Sequence, residues 1–90
     1  MYFYAMEVRA VLQELKNAKR VVGIKQLRKA LRDGSAAKVF IADDADFRLT
    51  DPVKAACEET GVPAVIVATM SELGQACGIE VGAAVAAILR

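Results

Sequence analysis

Two short apolar runs constrain the fold of this chain most tightly. Lys38-Val39-Phe40-Ile41-Ala42 and Ala64-Val65-Ile66-Val67-Ala68 have strand length and are rich in β-branched side chains. Neither alternates between apolar and polar residues. Successive side chains of a strand point to opposite faces, so a strand that is apolar throughout needs cover on both sides of its sheet. That requirement excludes a sheet with one wet face. The segment between the two runs reads as a helix, and a strand, helix, strand unit of this kind crosses over right-handedly, which makes the pair parallel.

The rest of the chain supplies the covering helices. Val8, Val11, Leu12 and Leu15 recur at helical spacing and predict a first helix from about Ala5 to Ala18. Val21-Val22 reads as a short buried strand. Ile24, Leu27 and Leu31 then form the apolar stripe of a second helix, stopped by Asp33-Gly34-Ser35 with Gly34 as its left-handed cap. Thr50-Asp51-Pro52 reads as the start of the third helix, a capping side chain followed by proline in the first turn, with Val53, Ala56 and Cys57 facing the core and Gly61 and Pro63 ending it. Thr69-Met70-Ser71-Glu72 has the form of a capping box, opening a short helix with Met70, Leu73 and Cys77 on one face and Gly78 as its stop. The tail Ala83 to Ile88 fits helix or strand by periodicity alone. Its length and the alternation of elements before it favour a strand. The expectation is an α/β fold, a three-layer α/β/α sandwich with a mixed sheet of about four strands, formed by residues 1–90 as a single domain.

Composition narrows the function classes. Ninety residues of which 56% are hydrophobic make one compact core and argue against disorder. Cys57 and Cys77 are too far apart for a CxxC motif, and the chain has no histidine to complete a mixed metal site, so both read as reduced core thiols. No cofactor is expected. Met1-Tyr2-Phe3-Tyr4 lacks the basic and apolar regions of a signal peptide, and no apolar run is long enough to cross a bilayer. The expected location is the cytoplasm, with no membrane partner.

The net charge of +1 hides a local polarity. Lys16, Lys19, Arg20, Lys25, Arg28, Lys29 and Arg32 fall in the first third, whereas Asp43, Asp44, Asp46 and Asp51 follow together. On the second helix Lys25, Arg28, Lys29 and Arg32 lie opposite the apolar stripe. Charges on an outer helix face are ordinarily just solvated, and those near the C-terminus suit the helix dipole. Lys25 does not fit that account, because it sits in the first turn. Gly23 before it leaves the helix-start amides open to an anion. The acidic run at the end of an apolar strand is in turn either a solvated, capping loop or a site for chemistry.

Taken in order, Gly23-Ile24-Lys25-Gln26, Lys29-Ala30-Leu31, Gly34, Ile41-Ala42-Asp43-Asp44-Ala45-Asp46, Gly61-Val62-Pro63, Leu73-Gly74-Gln75-Ala76-Cys77-Gly78-Ile79 and Ala83 to Ile88 resemble the kink-turn RNA-binding ribosomal-protein family. The match spans about residues 8 to 90, and the small bacterial YbxF- and YlxQ-like branch is the most similar, on the YbxF side. Two departures stand out. Lys25-Gln26 occupies the place where archaeal and eukaryotic members carry Asn-Glu, and Phe47 stands where proline is common.

The resemblance implies a role for each matching position. A kink-turn is a duplex bent at a bulge beside tandem sheared G·A pairs, with guanine edges exposed in a widened major groove. Gly23, Lys25, Gln26 and Lys29 would lie in that groove, and Ile79, Glu80, Val81 and Gly82 would cover the bulged nucleotides. The residue types suit these tasks: lysine donates to guanine O6 and N7, glutamine donates and accepts, and apolar side chains pack on unstacked bases. Arg28 and Arg32, with Lys16 or Arg20, would offset phosphate repulsion. Implied partners are kink-turn RNA and, through it, the ribosome, for a non-catalytic protein that is monomeric when free. Two other readings stand beside this one: a protein-interaction module docking through the first helix and Met1 to Tyr4, and a metal-dependent site at Asp43, Asp44 and Asp46.

Overall fold

The computed structural model describes residues 2–4 and 8–90, with side chains from residue 13 onward. In chain order it contains β1 (Tyr2–Tyr4), α1 (Val8–Asn17), β2 (Arg20–Val22), α2 (Ile24–Asp33), β3 (Ala36–Ala42), α3 (Phe47–Thr60), β4 (Ala64–Val67), α4 (Met70–Ala76) and β5 (Val85–Leu89). The strands form one mixed sheet in the order β1-β4-β3-β5-β2. β3 and β4 pair in parallel through the α3 crossover, and β5 runs antiparallel to both β3 and β2.

Side-chain alternation along the strands divides the core into two layers. Val39 and Ile41 of β3, Ala64 and Ile66 of β4 and Val85 and Ala87 of β5 join Leu27, Ala30 and Leu31 of α2 and Val53 and Cys57 of α3. The intervening residues, Phe40, Val65, Val67, Ala86 and Ile88, join Leu15 of α1 and Leu73 and Ala76 of α4. Each apolar run is thus covered on both faces, and the three-layer sandwich is the structure's form. The four strands expected from the sequence are β2 to β5. A fifth, β1, pairs in parallel with β4 at the sheet edge, Tyr2 opposite Ala64 and Tyr4 opposite Ile66.

One expected boundary lies outside the described residues and another differs. The expected first helix begins at Ala5, but Ala5 to Glu7 lie outside the described residues; the described part ends at Asn17. α3 begins at Phe47 rather than at the Thr50-Asp51-Pro52 signal. Asp46 is its N-cap and accepts from the Arg48 amide at 2.9 Å. Pro52 is therefore inside the helix, where it cannot donate to the Arg48 carbonyl. It lies on the exposed side, where water can serve that carbonyl, whereas Thr50 is turned into the protein, 3% exposed.

Candidate functional site

Backbone bonds gather two loops and two helix starts at one end of the strands, an edge of the molecule distinct from the edge strand β1. Gly23 donates to the Val85 carbonyl at 3.1 Å, Ala42 to Ala84 at 2.9 Å and Asp43 to Val67 at 2.7 Å. β2, β3 and β4 all end there, and β5 begins there. The start of α2, the acidic loop, the start of α4 and the segment before β5 therefore share this edge.

Gly23 turns the chain from β2 into α2. Its φ of +99° lies in the left-handed region that a side chain strains to enter, and its carbonyl accepts the Leu27 amide at 3.0 Å. No side chain caps the helix, so the first-turn amides are open to a ligand. Leu27, Ala30 and Leu31 are buried, while Lys25, Gln26, Arg28, Lys29 and Arg32 are all exposed. None of these four cations makes an ion pair with another described residue. The basic stripe divides, however. At about 100° per residue Lys25 and Lys29 point straight outward, with Gln26 on one flank and Arg28 and Arg32 on the other. Those two arginines, with Lys25 and Glu59, line an open groove of about 630 Å³ between α2 and α3.

The segment Ile79 to Gly82 forms the second arm. It follows a tight helix stop in which the Gly78 amide reaches the Gln75 carbonyl at 3.0 Å and the Ile79 amide the Gly74 carbonyl at 3.1 Å. Glu80 and Gly82 are exposed. Ile79 is 36% exposed and Val81 71%, and neither belongs to a core cluster, so these side chains do not anchor the loop.

The acidic loop has structural work. Asp44 Oδ1 accepts the Met70 amide at the start of α4 at 2.8 Å. Asp46 caps α3 and is gripped by the Arg48 guanidinium at 2.8 Å, which holds its carboxyl below the usual aspartate value. Among the described residues, no three His, Cys, Asp or Glu side chains gather into a group able to hold a metal. The metal-dependent reading of Asp43, Asp44 and Asp46 has no geometric support, because two of the three carboxylates are spent on helix starts.

Sequence reasoning missed two apolar residues of this edge. Phe47 is 69% exposed and Leu49 50% exposed, both in the first turn of α3. With Ile79 and Val81 they are the exposed large hydrophobic residues of the described chain, and all four sit in the loops and helix starts of one edge. The signal was present in Phe47, an aromatic placed directly after an acidic loop. Arg20, one of the cations expected to offset phosphate repulsion, also has structural work. Its guanidinium donates to the Cys77 carbonyl at 2.7 Å and to the carbonyls of Lys16 and Ala18, joining the ends of α4 and α1.

The cysteines lie on opposite faces of the sheet, Cys57 with α2 and Cys77 with α1. Burial pushes the Cys57 thiol up to about 11 and raises that of Cys77 as well, so neither is a ready nucleophile.

Comparison with known proteins places this architecture. The model of the ribosomal protein L7Ae/L30e/S12e/Gadd45 family matches residues 6–90. The chain belongs to this family. An RNA-binding protein of Geobacillus kaustophilus is 49% identical over 84% of this chain and 93% of its own length. The RNA-binding protein YbxF of Geobacillus stearothermophilus is 47% identical over the same shares. Among solved structures, a 15.5 kDa RNA-binding protein of Giardia lamblia superposes with a TM-score of 0.87 at 32% identity, covering 98% of this chain and 78% of that one.

Proposed function

We propose that this chain is a non-catalytic, cytoplasmic RNA-binding domain that recognises and stabilises kink-turns. The observation that carries the reading is the juxtaposition at one sheet edge of an uncapped, cation-bearing helix start and an exposed apolar loop. A duplex with its bases stacked offers phosphates to the first and nothing to the second. A bent duplex with a splayed base offers both.

In this reading Gly23, Lys25, Gln26 and Lys29 meet guanine edges in the opened groove. Gly23 lets the backbone approach, and the two lysines and the glutamine supply donors and one acceptor. Ile79, Glu80, Val81 and Gly82 close over the bulge, with Val81 packing on an unstacked base, and Phe47 and Leu49 extend that apolar edge. Arg28 and Arg32, turned toward α3, act as supporting charge along the flanking phosphates. The implied partners are RNAs containing a kink-turn, the ribosome among the structures that carry them.

Calorimetric titration with a kink-turn RNA separates readout from charge. Lys29→Ala is expected to weaken binding by about 1–3 kcal/mol at every salt concentration, and Arg32→Ala to reduce the salt slope by about one. If both variants bind like the parent at moderate salt, the stripe is only a solvated face and the reading fails.

A further inference from the structure

The geometry points to Gly74 and Gly82 as positioning residues, two places without a side chain that seat the Ile79 to Gly82 loop on α4 and set how far Val81 stands out from the surface. The inference rests on the proposed RNA-binding role of that loop. Gly74 is buried in the middle of a seven-residue helix, a place where alanine is ordinarily the better residue. The reason for glycine lies outside the helix. A Cβ at Gly74 would collide with the Val81 carbonyl oxygen and come within 3.1 Å of the Gly82 Cα. A Cβ at Gly82 would in turn stand 3.0 Å from the Met70 Cβ.

Hydrogen bonds show that this contact is one part of a fastening. The Ile79 amide donates to the Gly74 carbonyl at 3.1 Å, and the Ala83 amide donates to the Met70 carbonyl at 3.0 Å. The loop is thus tied at both ends to backbone groups one turn apart on α4, and between the ties the Val81 carbonyl rests on bare Cα. Met70 is itself held from the other side, its amide bonded to Asp44 Oδ1 at 2.8 Å. With its carbonyl pressed against the helix, Val81 keeps its side chain outside, 71% exposed. A methyl group at position 74 pushes the loop off the helix, because the atoms it meets are backbone and not the end of a flexible side chain.

The test uses the full chain and a kink-turn RNA, with Gly74→Ala, Val81→Ala and the double variant. Gly74→Ala is expected to bind about tenfold more weakly and to melt at a lower temperature while remaining folded, since the new Cβ meets backbone that has to shift, and the double variant to bind no more weakly than Gly74→Ala, because Val81 has already lost its place. In the RNA-free protein, amide exchange should speed up at Ile79 and Ala83 and remain unchanged in β3 and β4. Binding within twofold of the parent, or fully additive losses in the double variant, overturns the inference. Should Gly74→Ala fail to fold, Gly82→Ala takes its place in the same cycle, since its Cβ would stand 3.0 Å from the Met70 Cβ, a less severe contact than the one at position 74. If the parent itself ignores the kink-turn, the functional reading fails, and the exchange data alone decide the seating: unchanged rates at Ile79 and Ala83 refute it.

Discussion

At the scale of single residues, the site depends on backbone shape before it depends on charge. Gly23 holds a φ of +99° where β2 passes into α2, and nothing lies within 4 Å of the place a Cβ would occupy. The penalty for a side chain there is therefore conformational and not steric. Gly23→Ala is expected to cost about 1–3 kcal/mol of stability in urea unfolding, with RNA affinity falling too because the helix start must shift. The cysteines give a residue-scale check on the core. With its pKa near 11, Cys57 is expected to resist a thiol reagent at about pH 8 in the folded protein, as is Cys77, and both to react at once when urea unfolds the chain. Rapid labelling of Cys57 in the native protein would show that the layer between α2 and β3 is open. The close approach of the Val81 carbonyl to Gly74 was not legible in the sequence, because the need for a missing Cβ appears only when the loop partner is in place.

Elements were legible where one physical requirement dominated. β3 and β4 declared themselves because a run such as Val39-Phe40-Ile41-Ala42 has no polar side to turn toward water, and the same argument demanded helices on both faces. α2 was equally plain, with Ile24, Leu27 and Leu31 inside and its cations outside. The start of α3 was missed because two signals competed. Proline in a first turn favoured Thr50, but the Asp46 cap with its Arg48 grip sets the helix going five residues before Pro52. β1 has only three residues, too few to show a period. Because Phe40 and Leu27 lie in different layers, truncating each tests whether both covers are needed. Phe40→Ala is expected to cost about 3–5 kcal/mol and Leu27→Ala about 2–5 kcal/mol, measured by denaturant unfolding, since both are fully buried. A cost below about 1 kcal/mol at either position would mean that its layer is not packed as described.

On the scale of the whole molecule, the fold acts as a frame that brings separate pieces of sequence to one edge. Residues 23 to 29 and 79 to 82 are distant in the chain and reach the same end of the sheet because β2 and β5 pair antiparallel, with Val22 opposite Ala86 and the Gly23 amide on the Val85 carbonyl. No helix among the described residues is long and apolar enough to span a membrane, and among the described side chains the exposed large hydrophobic ones, Phe47, Leu49, Ile79 and Val81, lie in loops or first helical turns. In the proposed function this frame binds a bent RNA better than a straight one, and only that difference would move the RNA's own equilibrium. Carrying a mostly extended kink-turn to a mostly bent one takes a preference on the order of 10⁴-fold, about 5.5 kcal/mol. The most direct measurement is energy transfer between dyes on the two stems of a kink-turn RNA, titrated with the protein in salt without divalent ions. The account predicts that transfer rises to a saturating high value, and that an RNA lacking the tandem G·A pairs stays at its extended value throughout. An equal rise for both RNAs, or protein bound to the kink-turn with the stems still apart, would contradict it.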